Sequence, residues 1–326
     1  MTDRVKELLD LLVKGDRGGL ARCITLLESR RPIDEADQIS LLQACDDIIA
    51  TRPGISRRVA FTGPPGVGKS SLINRYGLRL IRDGHRVAVL AIDPTSKRTG
   101  GSILGDKTRM ADLSRHENAF IRPSATSGHL GGTAETTREA ILVCEAAGYD
   151  RILVETVGVG QSEHDVSQVV DLVVFVTMAR SGDGLQGIKR GILEMVDLVA
   201  VNKAEDDGHQ AALNHARELG SALKLLRGAP APACIPTSAI SGLGVDELSN
   251  LIDRLLSELV DNGSLDEQRQ NQRIQWFEMA LNALLQRRIR DLPEWKTHHA
   301  RLKDEVTDGT KTPYAAAREL LERLAL

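Results

Sequence analysis

The stretch Gly63-Pro-Pro-Gly-Val-Gly-Lys-Ser70 decides the fold. It matches G-x-x-x-x-G-K-[ST] at every fixed position, between a predicted strand, Arg58–Thr62, and a predicted helix from about Lys69 to Asp83. Glycines allow successive backbone N–H groups to curl around phosphate oxygens, and the start of the helix adds positive potential. A glycine-rich turn with a chance lysine is the alternative, but motif and context agree. The sequence therefore predicts a site for a nucleoside triphosphate.

Within this loop the side chains have distinct expected roles. Lys69 reaches the β- and γ-phosphates, and Ser70 can place its hydroxyl on Mg²⁺. Lys69 is therefore a candidate catalytic residue and Ser70 a candidate metal ligand. The candidate nucleotide-binding residues of this segment are Gly63, Pro64, Pro65, Gly66, Val67, Gly68, Lys69, Ser70 and Ser71.

Short apolar runs alternate with amphipathic segments after the phosphate loop, which indicates an α/β fold with a mostly parallel central sheet covered on both faces. Ligands of such sheets bind at the carboxyl ends of the strands, and the phosphate loop follows the first predicted strand at that end. The further predicted strands are Val87–Ile92, Arg151–Thr156, Leu172–Thr177, Leu198–Val201 and Ala233–Pro236.

Two carboxylates occur at the ends of predicted strands. Asp93 follows the second strand and can face the γ-phosphate, holding a metal-bound or attacking water; the alternative is a cap on the turn before Pro94. Glu155 occupies the place of the Asp in the Asp-x-x-Gly pattern of many P-loop proteins, with Gly158 retained. The alternative for Glu155 is a simple cap at the strand end. Both are candidate catalytic and Mg²⁺-binding residues.

The stretch Val201-Asn-Lys-Ala-Glu-Asp206 resembles the Asn-Lys-x-Asp loop with which GTP-binding proteins recognise guanine, but has Glu205 where Asp is usual. After the next strand comes Pro236-Thr-Ser-Ala239, which resembles the second guanine-contacting loop. A carboxylate can accept hydrogen bonds from guanine N1–H and the 2-amino group, and adenine lacks this pair of donors. The sequence predicts GTP rather than ATP. The candidate base-binding residues are Asn202, Lys203, Glu205, Ser238, Ala239 and Ile240.

Composition narrows the class of protein. The 326 residues carry a net charge of −3 and only 3% aromatics, so we expect no nucleic-acid partner. No apolar run approaches the ~20 residues that span a membrane, and the charged N-terminal stretch lacks an apolar signal core. The four scattered cysteines indicate free thiols in a reducing compartment. These features predict a cytoplasmic protein.

Three domains are predicted along the chain. Helical spacing of apolar residues in the first fifty residues, broken at Thr51–Ser56, predicts an N-terminal helical extension over residues 1–54. Residues 55–260 form the nucleotide-binding domain, and residues 261–326, which are helical, form a C-terminal arm. One helix of this arm carries an apolar stripe that must be buried somewhere, either by a second copy of the chain or by the first helices: Ile274, Phe277, Leu281, Leu284 and Leu285.

Longer stretches of sequence point to a family. Lys97–Met110, Phe120–Ser124, Ser127–Gly132, Val154–Glu163 and Gly187–Gly191 closely resemble the MeaB/ArgK family, which includes MMAA-like proteins. These are G-protein chaperones of adenosylcobalamin-dependent acyl-CoA mutases. The resemblance runs over nearly the whole chain. It separates the chain from signal-recognition and nickel-insertion GTPases, which belong to the same broad, SIMIBI-type class.

The resemblance implies a P-loop GTPase with a C-terminal dimerisation arm, slow intrinsic conversion of GTP to GDP, and acceleration by a partner mutase. The coupled events are gated delivery of adenosylcobalamin and protection or reactivation of the mutase. It places Asp106 with Ser70, Asp93 and Glu155 around Mg²⁺. Besides Glu205, the chain departs from the family at Gly184, where an acidic residue is expected. The implied switch and partner-coupling residues are Gly158, Asp183, Gln186 and Lys189.

Residue patterns independently favour a switch. Residues 93–132 form a long stretch rich in Gly, Ser and Thr beside the phosphate site, and long loops in compact domains are usually functional or disordered. Gly182, Gly184 and Gly187 would let the 179–188 segment rearrange. Ordinary mobile surface loops are the alternative. A P-loop also serves kinases, so a phosphotransferase is the rival function; no acceptor-binding motif is present, and the guanine-reading loops favour the switch.

Overall fold

The computed structural model describes residues 1–29, 31–93, 110–125, 132–156, 166–179, 190–228 and 230–324. The chain divides into two compact units, Met1–Arg269 and Gln270–Leu326. No helix in the described part of the chain has the length and apolar character needed to cross a membrane.

A seven-stranded sheet organises the first unit, and all its strand pairs are parallel. This confirms the α/β fold with a parallel sheet. The strands lie side by side in the order β3-β2-β4-β1-β5-β6-β7. Their bounds are β1 Arg57–Thr62, β2 Val87–Asp93, β3 Ala119–Ala125, β4 Arg151–Thr156, β5 Leu172–Met178, β6 Leu198–Asn202 and β7 Ala233–Pro236.

One of these strands is not predicted from the sequence. β3 pairs with β2 from Val87↔Ala119 to Asp93↔Ala125 and forms one edge of the sheet. Arg122 and Pro123 interrupt its apolar pattern, so the sequence does not indicate a buried strand there. Proline lacks a backbone N–H and is tolerated in an edge strand, where one side of the backbone has no partner strand.

Helices precede, separate and follow the strands along the chain. The N-terminal helices are α1 Asp3–Val13, α2 Arg17–Leu27 and α3 Glu35–Thr51, with a 3₁₀ turn at Pro32–Asp34. The helices between the strands and after them are α4 Lys69–Arg82, α5 Ala111–Arg115, α6 Gly132–Ala146, α7 Arg190–Met195, α8 His209–Arg227 and α9 Val245–Asp261. Those that complete the chain are α10 Ser264–Asp291, α11 Pro293–Thr307 and α12 Pro313–Arg323.

Helix α4 follows the phosphate loop and packs its apolar side on the sheet. Leu72, Ile73, Tyr76 and Leu80 are buried in one core with residues of the strands and of α9. The helix ends at Arg82, and Gly84, two residues later, has a φ of +91°, a conformation that favours glycine just after a helix. Burial of this face holds the start of α4, and therefore the phosphate loop, against the carboxyl ends of the strands.

The second unit has a small core of its own. Leu302 of α11 and Ala316, Leu320 and Leu324 of the α12 segment are buried together, with Trp295 packed against them. The apolar stripe of α10 is exposed, with Phe277 at 63%. The division between units falls inside α10, whereas the sequence places the start of the arm at residue 261; the three domain bounds stay predictions.

Candidate nucleotide-binding site

The phosphate loop is held against β5 by a glycine. Gly63 has a φ of +141°, and a Cβ placed there would lie 2.0 Å from the carbonyl oxygen of Val176. No side chain fits that space, so the first residue of the motif must be glycine for the loop to begin so close to β5. This contact places the loop at the carboxyl end of the sheet.

Lys69 and Ser70, the first residues of α4, bring the expected chemistry together. Lys69 Nζ donates to the carbonyl oxygens of Gly63 at 2.8 Å and Pro64 at 2.9 Å, which places the ammonium inside the curve of the loop. Ser70 Oγ donates to Glu155 Oε1 at 2.6 Å, and Ser70 and Glu155 are both buried. The pairing Phe61↔Glu155 between β1 and β4 accounts for this meeting, because it fixes Glu155 beside the end of β1.

Among the remaining predicted metal-binding and switch residues, the backbone of Asp93 lies in the described part of the structure. Asp93 is the last residue of β2, and the adjacent pair Ile92↔Thr156 places its backbone beside the end of β4. The Asp93 side chain lies outside the described part of the structure. So do five further predicted residues: Asp106, Gly158, Asp183, Gln186 and Lys189.

Asn202, at the end of β6, connects the phosphate loop to both predicted base-reading loops. Its Nδ2 donates to the carbonyl oxygen of Val67 at 2.8 Å, and its Oδ1 accepts from the Ala239 N–H at 3.2 Å. Gly68, with a φ of +92°, permits the approach, since a Cβ there would lie 2.5 Å from Asn202 Nδ2. Asn202 is buried and makes both of these hydrogen bonds, so it fixes the distance between the phosphate loop and the second base loop.

Glu205, and not the neighbouring Asp206, meets the second base loop. Ser238 Oγ donates to Glu205 Oε2 at 2.6 Å and accepts the Ser241 N–H at 3.0 Å. Ser238 is buried and Glu205 is half-buried, whereas Asp206 is exposed. The hydrogen bond from Ser238 thus holds one carboxylate oxygen of Glu205 against the second base loop.

The loop that carries Glu205 has an uncommon backbone. Lys203 and Asp206 have φ values of +63° and +47°, in the left-handed region that residues other than glycine seldom occupy. Such conformations cluster at ligand-binding sites, where the surrounding structure fixes them. They turn Lys203 and Asp206 outward and Glu205 toward Ser238. Ile240, predicted to contact the base, is 77% exposed.

The sequence alone does not reveal two features of the site. The first is the bond from Asn202 to the phosphate loop, which joins residues 135 positions apart in the chain. The second is a buried hydrogen bond that Thr156 Oγ1 donates to Thr62 Oγ1, at 2.9 Å, between the ends of β4 and β1. Their only signal in the sequence is a polar residue at the end of an apolar strand.

Comparisons with known proteins agree with this geometry. The family model described as "Methylmalonyl Co-A mutase-associated GTPase MeaB" matches residues 20–292. A probable GTPase of Mycobacterium tuberculosis is 46% identical over 326 residues, covering 98% of this chain and 95% of the relative. The mitochondrial methylmalonic aciduria type A homolog of Mus musculus is 42% identical over 327 residues, covering 98% and 79%.

A solved structure extends the comparison to three dimensions. The crystal structure of LAO/AO transport system kinase superposes with a TM-score of 0.75 at 32% identity, covering 100% of this chain and 99% of that chain. The phosphate loop, the two base loops and these relatives agree on one kind of protein that binds GTP and GDP. The chain belongs to the MeaB family of P-loop GTPases.

Proposed function

We propose that this GTPase is a chaperone that gates adenosylcobalamin delivery to a cobalamin-dependent acyl-CoA mutase and protects or reactivates that enzyme. The observation that carries the proposal is the single bonded frame, centred on Asn202, that joins a phosphate loop to two base loops. The family description names an association with methylmalonyl-CoA mutase, and the name of the mouse relative refers to methylmalonic aciduria, which supports a mutase as partner. The proposal places both proteins in the cytoplasm.

The residues of the site would have separate roles in the hydrolysis of GTP. Lys69 neutralises charge on the β- and γ-phosphates, and Glu155 and Asp93 orient water near the γ-phosphate. A hydroxyl and a carboxylate 2.6 Å apart, as in Ser70 and Glu155, are the hard oxygen donors that Mg²⁺ prefers, so these residues fit the ion. When bound there, Mg²⁺ would neutralise charge on the phosphates. Asp106 is proposed as a further ligand of the ion.

The base loops would select guanine. With Glu205 Oε2 held by Ser238, the carboxylate can accept the N1–H and 2-amino protons of guanine at once. The longer side chain of Glu205 still allows this arrangement, because its position is set by Ser238 rather than by the loop backbone alone. Adenine offers no matching pair of donors, so GTP is the proposed substrate.

A chaperone that times a delivery step must keep its triphosphate until the partner is engaged. We therefore expect slow hydrolysis alone and a large acceleration by the mutase, since ordered water or a supplied arginine can be worth ~10³–10⁵ in rate. Phosphate release would be measured with and without methylmalonyl-, ethylmalonyl-, isobutyryl- and 2-hydroxyisobutyryl-CoA mutases. No acceleration by any of them would reject the chaperone assignment.

Gly158, Asp183, Gln186 and Lys189 are the proposed coupling residues, and Lys189 offers a separate test. If partner binding brings Lys189 toward the phosphates, Lys189→Ala should leave basal hydrolysis nearly unchanged and reduce the acceleration. An equal loss with and without the mutase would place Lys189 in the basal machinery instead.

A phosphotransferase is the second candidate function, favoured by the name of the solved relative, a transport system kinase. The two functions differ in the fate of the γ-phosphate. Incubation with γ-labelled GTP and candidate small-molecule acceptors distinguishes them: the chaperone releases labelled phosphate to water, whereas a kinase transfers it. Label on any acceptor would contradict the proposal.

The chaperone is further proposed to be a homodimer held by its C-terminal arm. The exposed stripe on α10 is apolar along one side of a long helix, with Ile274 at 54% and Leu284 at 53% exposure. Such a stripe is costly in water and suits a second copy of the helix. Light scattering should show a dimer for the full chain and a monomer for a chain ending near Asp261. A dimer that survives the truncation would contradict this placement.

A further inference from the structure

The first turns of α10 are bound to the sheet at the ends of the strands opposite the nucleotide site. Arg269 Nε lies 2.9 Å from Asp171 Oδ1, and Arg269 Nη2 lies 2.7 Å from Asp171 Oδ2 and 2.7 Å from the carbonyl oxygen of Ser56. The Asp171 side chain is 0% exposed and that of Arg269 is 14% exposed. We call the contacts of Arg269 with Asp171 and Ser56 the clasp.

The clasp continues into β1. Asp171 Oδ2 also accepts the Arg58 N–H at 2.8 Å, so the carboxylate binds the first residues of β1 as well as α10. Arg58 in turn places Nε and Nη2 on the two oxygens of Glu145, at 2.7 and 2.8 Å. Gln268 Nε2 adds a bond to the carbonyl oxygen of Val170 at 3.2 Å. The start of α10 is therefore fixed to the residues that lead directly into β1 and β5.

These two strands lead directly to the nucleotide site. β1 runs into the phosphate loop, and β5 carries Val176, against which Gly63 packs. β1 and β5 are paired from Val59↔Leu172 to Thr62↔Phe175. At about 3.3 Å per residue, Asp171 lies roughly 16 Å from Val176 along β5. A rigid pair of strands thus has the clasp at one end and the phosphate loop at the other.

The chemistry of the clasp suits a geometric role. A buried ion pair adds little net stability over well-packed apolar side chains, but a two-pronged arginine–carboxylate pair fixes the position of both partners. α10 continues past Arg269 as the helix that we assign to dimer contacts. A change in how tightly β1 and β5 are held at the nucleotide site would therefore reach the start of that helix.

We propose that the clasp couples nucleotide binding to α10, with Arg269 as its positioning residue. Because coupling between two sites is reciprocal, a partner that binds α10 would then alter the affinity for nucleotide by the same factor. The proposal rests on the proposed function in assigning partner contacts to α10. The coupling itself requires no partner and is measurable in the full chain alone.

Hydrogen exchange measures this coupling directly. A ligand slows exchange only at amides whose opening also disrupts the ligand site. A non-hydrolysable GTP analogue with Mg²⁺ should slow exchange at residues 266–275 by about fivefold or more, the lower range of typical site-to-site coupling. Arg269→Gln should reduce this change to under about twofold while leaving affinity for the analogue within about threefold of the parent, because Arg269 does not touch the site.

Two further variants complete the test. Arg273→Gln, one turn along α10 at an exposed arginine, is the matched control and should keep the full nucleotide effect. In Arg269→Lys the analogue should slow exchange less than in the parent but more than in Arg269→Gln, since lysine keeps the charge but not the two-pronged geometry. If Arg269→Gln does not fold, Arg269→Lys replaces it in the measurement.

Two results would overturn the proposal. One is a parent protein in which the analogue leaves exchange at residues 266–275 unchanged. The other is an Arg269→Gln protein whose exchange rises equally with and without the analogue, so that the nucleotide effect persists; Arg269 would then only stabilise the helix. Neither result involves a mutase, so failure here is distinct from failure of the chaperone assignment, in which no mutase accelerates hydrolysis.

Discussion

The two ends of the same parallel sheet use buried charge differently. At the carboxyl ends, Lys69 and Glu155 contact loop carbonyls and a hydroxyl, which are partners that a bound nucleotide and its metal ion could replace. At the amino ends, Arg58 is matched to Glu145, and Asp171 to Arg269, with two hydrogen bonds in each pair. The comparison indicates that one end is arranged for a ligand and the other for fixing the protein's own elements.

This difference separates the expected effects of substitution. Changes at the carboxyl ends should alter nucleotide binding with little effect on stability. Changes at the amino ends should alter stability with little effect on the affinity for nucleotide. A variant that altered both quantities strongly would weaken the distinction.

The largest effect is expected from Lys69→Ala, which removes the side-chain charge held at the β- and γ-phosphates. We expect GTP affinity to fall by at least about 100-fold, or about 2.7 kcal/mol, with the melting temperature nearly unchanged. Calorimetry and thermal unfolding measure the two quantities. Lys224→Ala, at an exposed lysine of α8, is the control and should change neither. Unaltered GTP affinity in Lys69→Ala would remove the phosphate-loop assignment.

Glu145→Gln should have the opposite signature. It breaks a buried pair with Arg58 and should cost about 3 kcal/mol of unfolding free energy, while GTP affinity is retained. Denaturant titration compares it with Glu117→Gln, at an exposed glutamate. A loss of GTP affinity larger than the loss of stability would contradict the separation of the two ends.

The same glutamate predicts an acid limit to stability. Burial alone would raise the pKa of Glu145, but the Arg58 guanidinium, together with Ser56 and Arg269, holds that pKa below its usual range. A depressed carboxyl pKa contributes stability that is complete above about pH 4.3 and is lost as the pH falls further. Glu145→Gln should lack this part of the acid transition.

Glu205→Ala sharpens the comparison within the nucleotide site. It should lower GTP affinity by roughly tenfold, about 1.4 kcal/mol, and leave ATP affinity unchanged, because only guanine offers the two donors. Glu205→Asp should keep or improve the preference. Asp207→Ala, at a neighbouring exposed carboxylate, serves as the control. A parallel fall in GTP and ATP affinity would mean that Glu205 supports the loop without reading the base.

The smallest effect is expected at Asp197, just before β6. Burial raises the pKa of Asp197 to about 6, even though its Oδ2 accepts the Val173 N–H at 2.7 Å. The native state therefore keeps a proton that the unfolded chain loses above about pH 3.9, so this group's contribution to stability falls as the pH rises toward 6. Asp197→Asn keeps an acceptor without the charge.

Denaturant unfolding at pH 7 should find Asp197→Asn more stable than the parent by about 1 kcal/mol, and the gain should vanish below about pH 4. Asp10→Asn, at an exposed carboxylate of α1, should show no such pH-dependent gain. A variant less stable than the parent at pH 7 would contradict the assigned burial cost.

Local patterns in the sequence are sufficient to predict most of the strands and helices of the fold. Continuous apolar runs predict six of the strands, and the phosphate-loop motif predicts the start of α4 at Lys69. β3 escapes prediction because its edge position tolerates Arg122 and Pro123, and edge strands lack the uniform burial that makes a central strand visible. Apolar residues at helical spacing predict a helix from Leu265 to Ile289, and α10 spans Ser264–Asp291.

The site can be predicted in part for the same reason. Residue types at or just after the ends of the strands identify Ser70, Glu155, Asn202 and Glu205 as candidates. Their mutual contacts depend on register and loop conformation, as in the bond between Ser70 and Glu155, which are 85 positions apart. The clasp is less visible still, because Arg269 and Asp171 are 98 positions apart and neither belongs to a motif.

The affinities of the unmodified protein for GTP and ATP test the central claim, that this sheet carries a guanine-reading site, most directly. Both nucleotides would be titrated with Mg²⁺ by calorimetry under one set of conditions. The positions of Asn202, Glu205 and Ser238 in the base loops predict GTP binding at least about tenfold tighter than ATP binding, a difference of about 1.4 kcal/mol. Equal affinities for GTP and ATP would contradict the account.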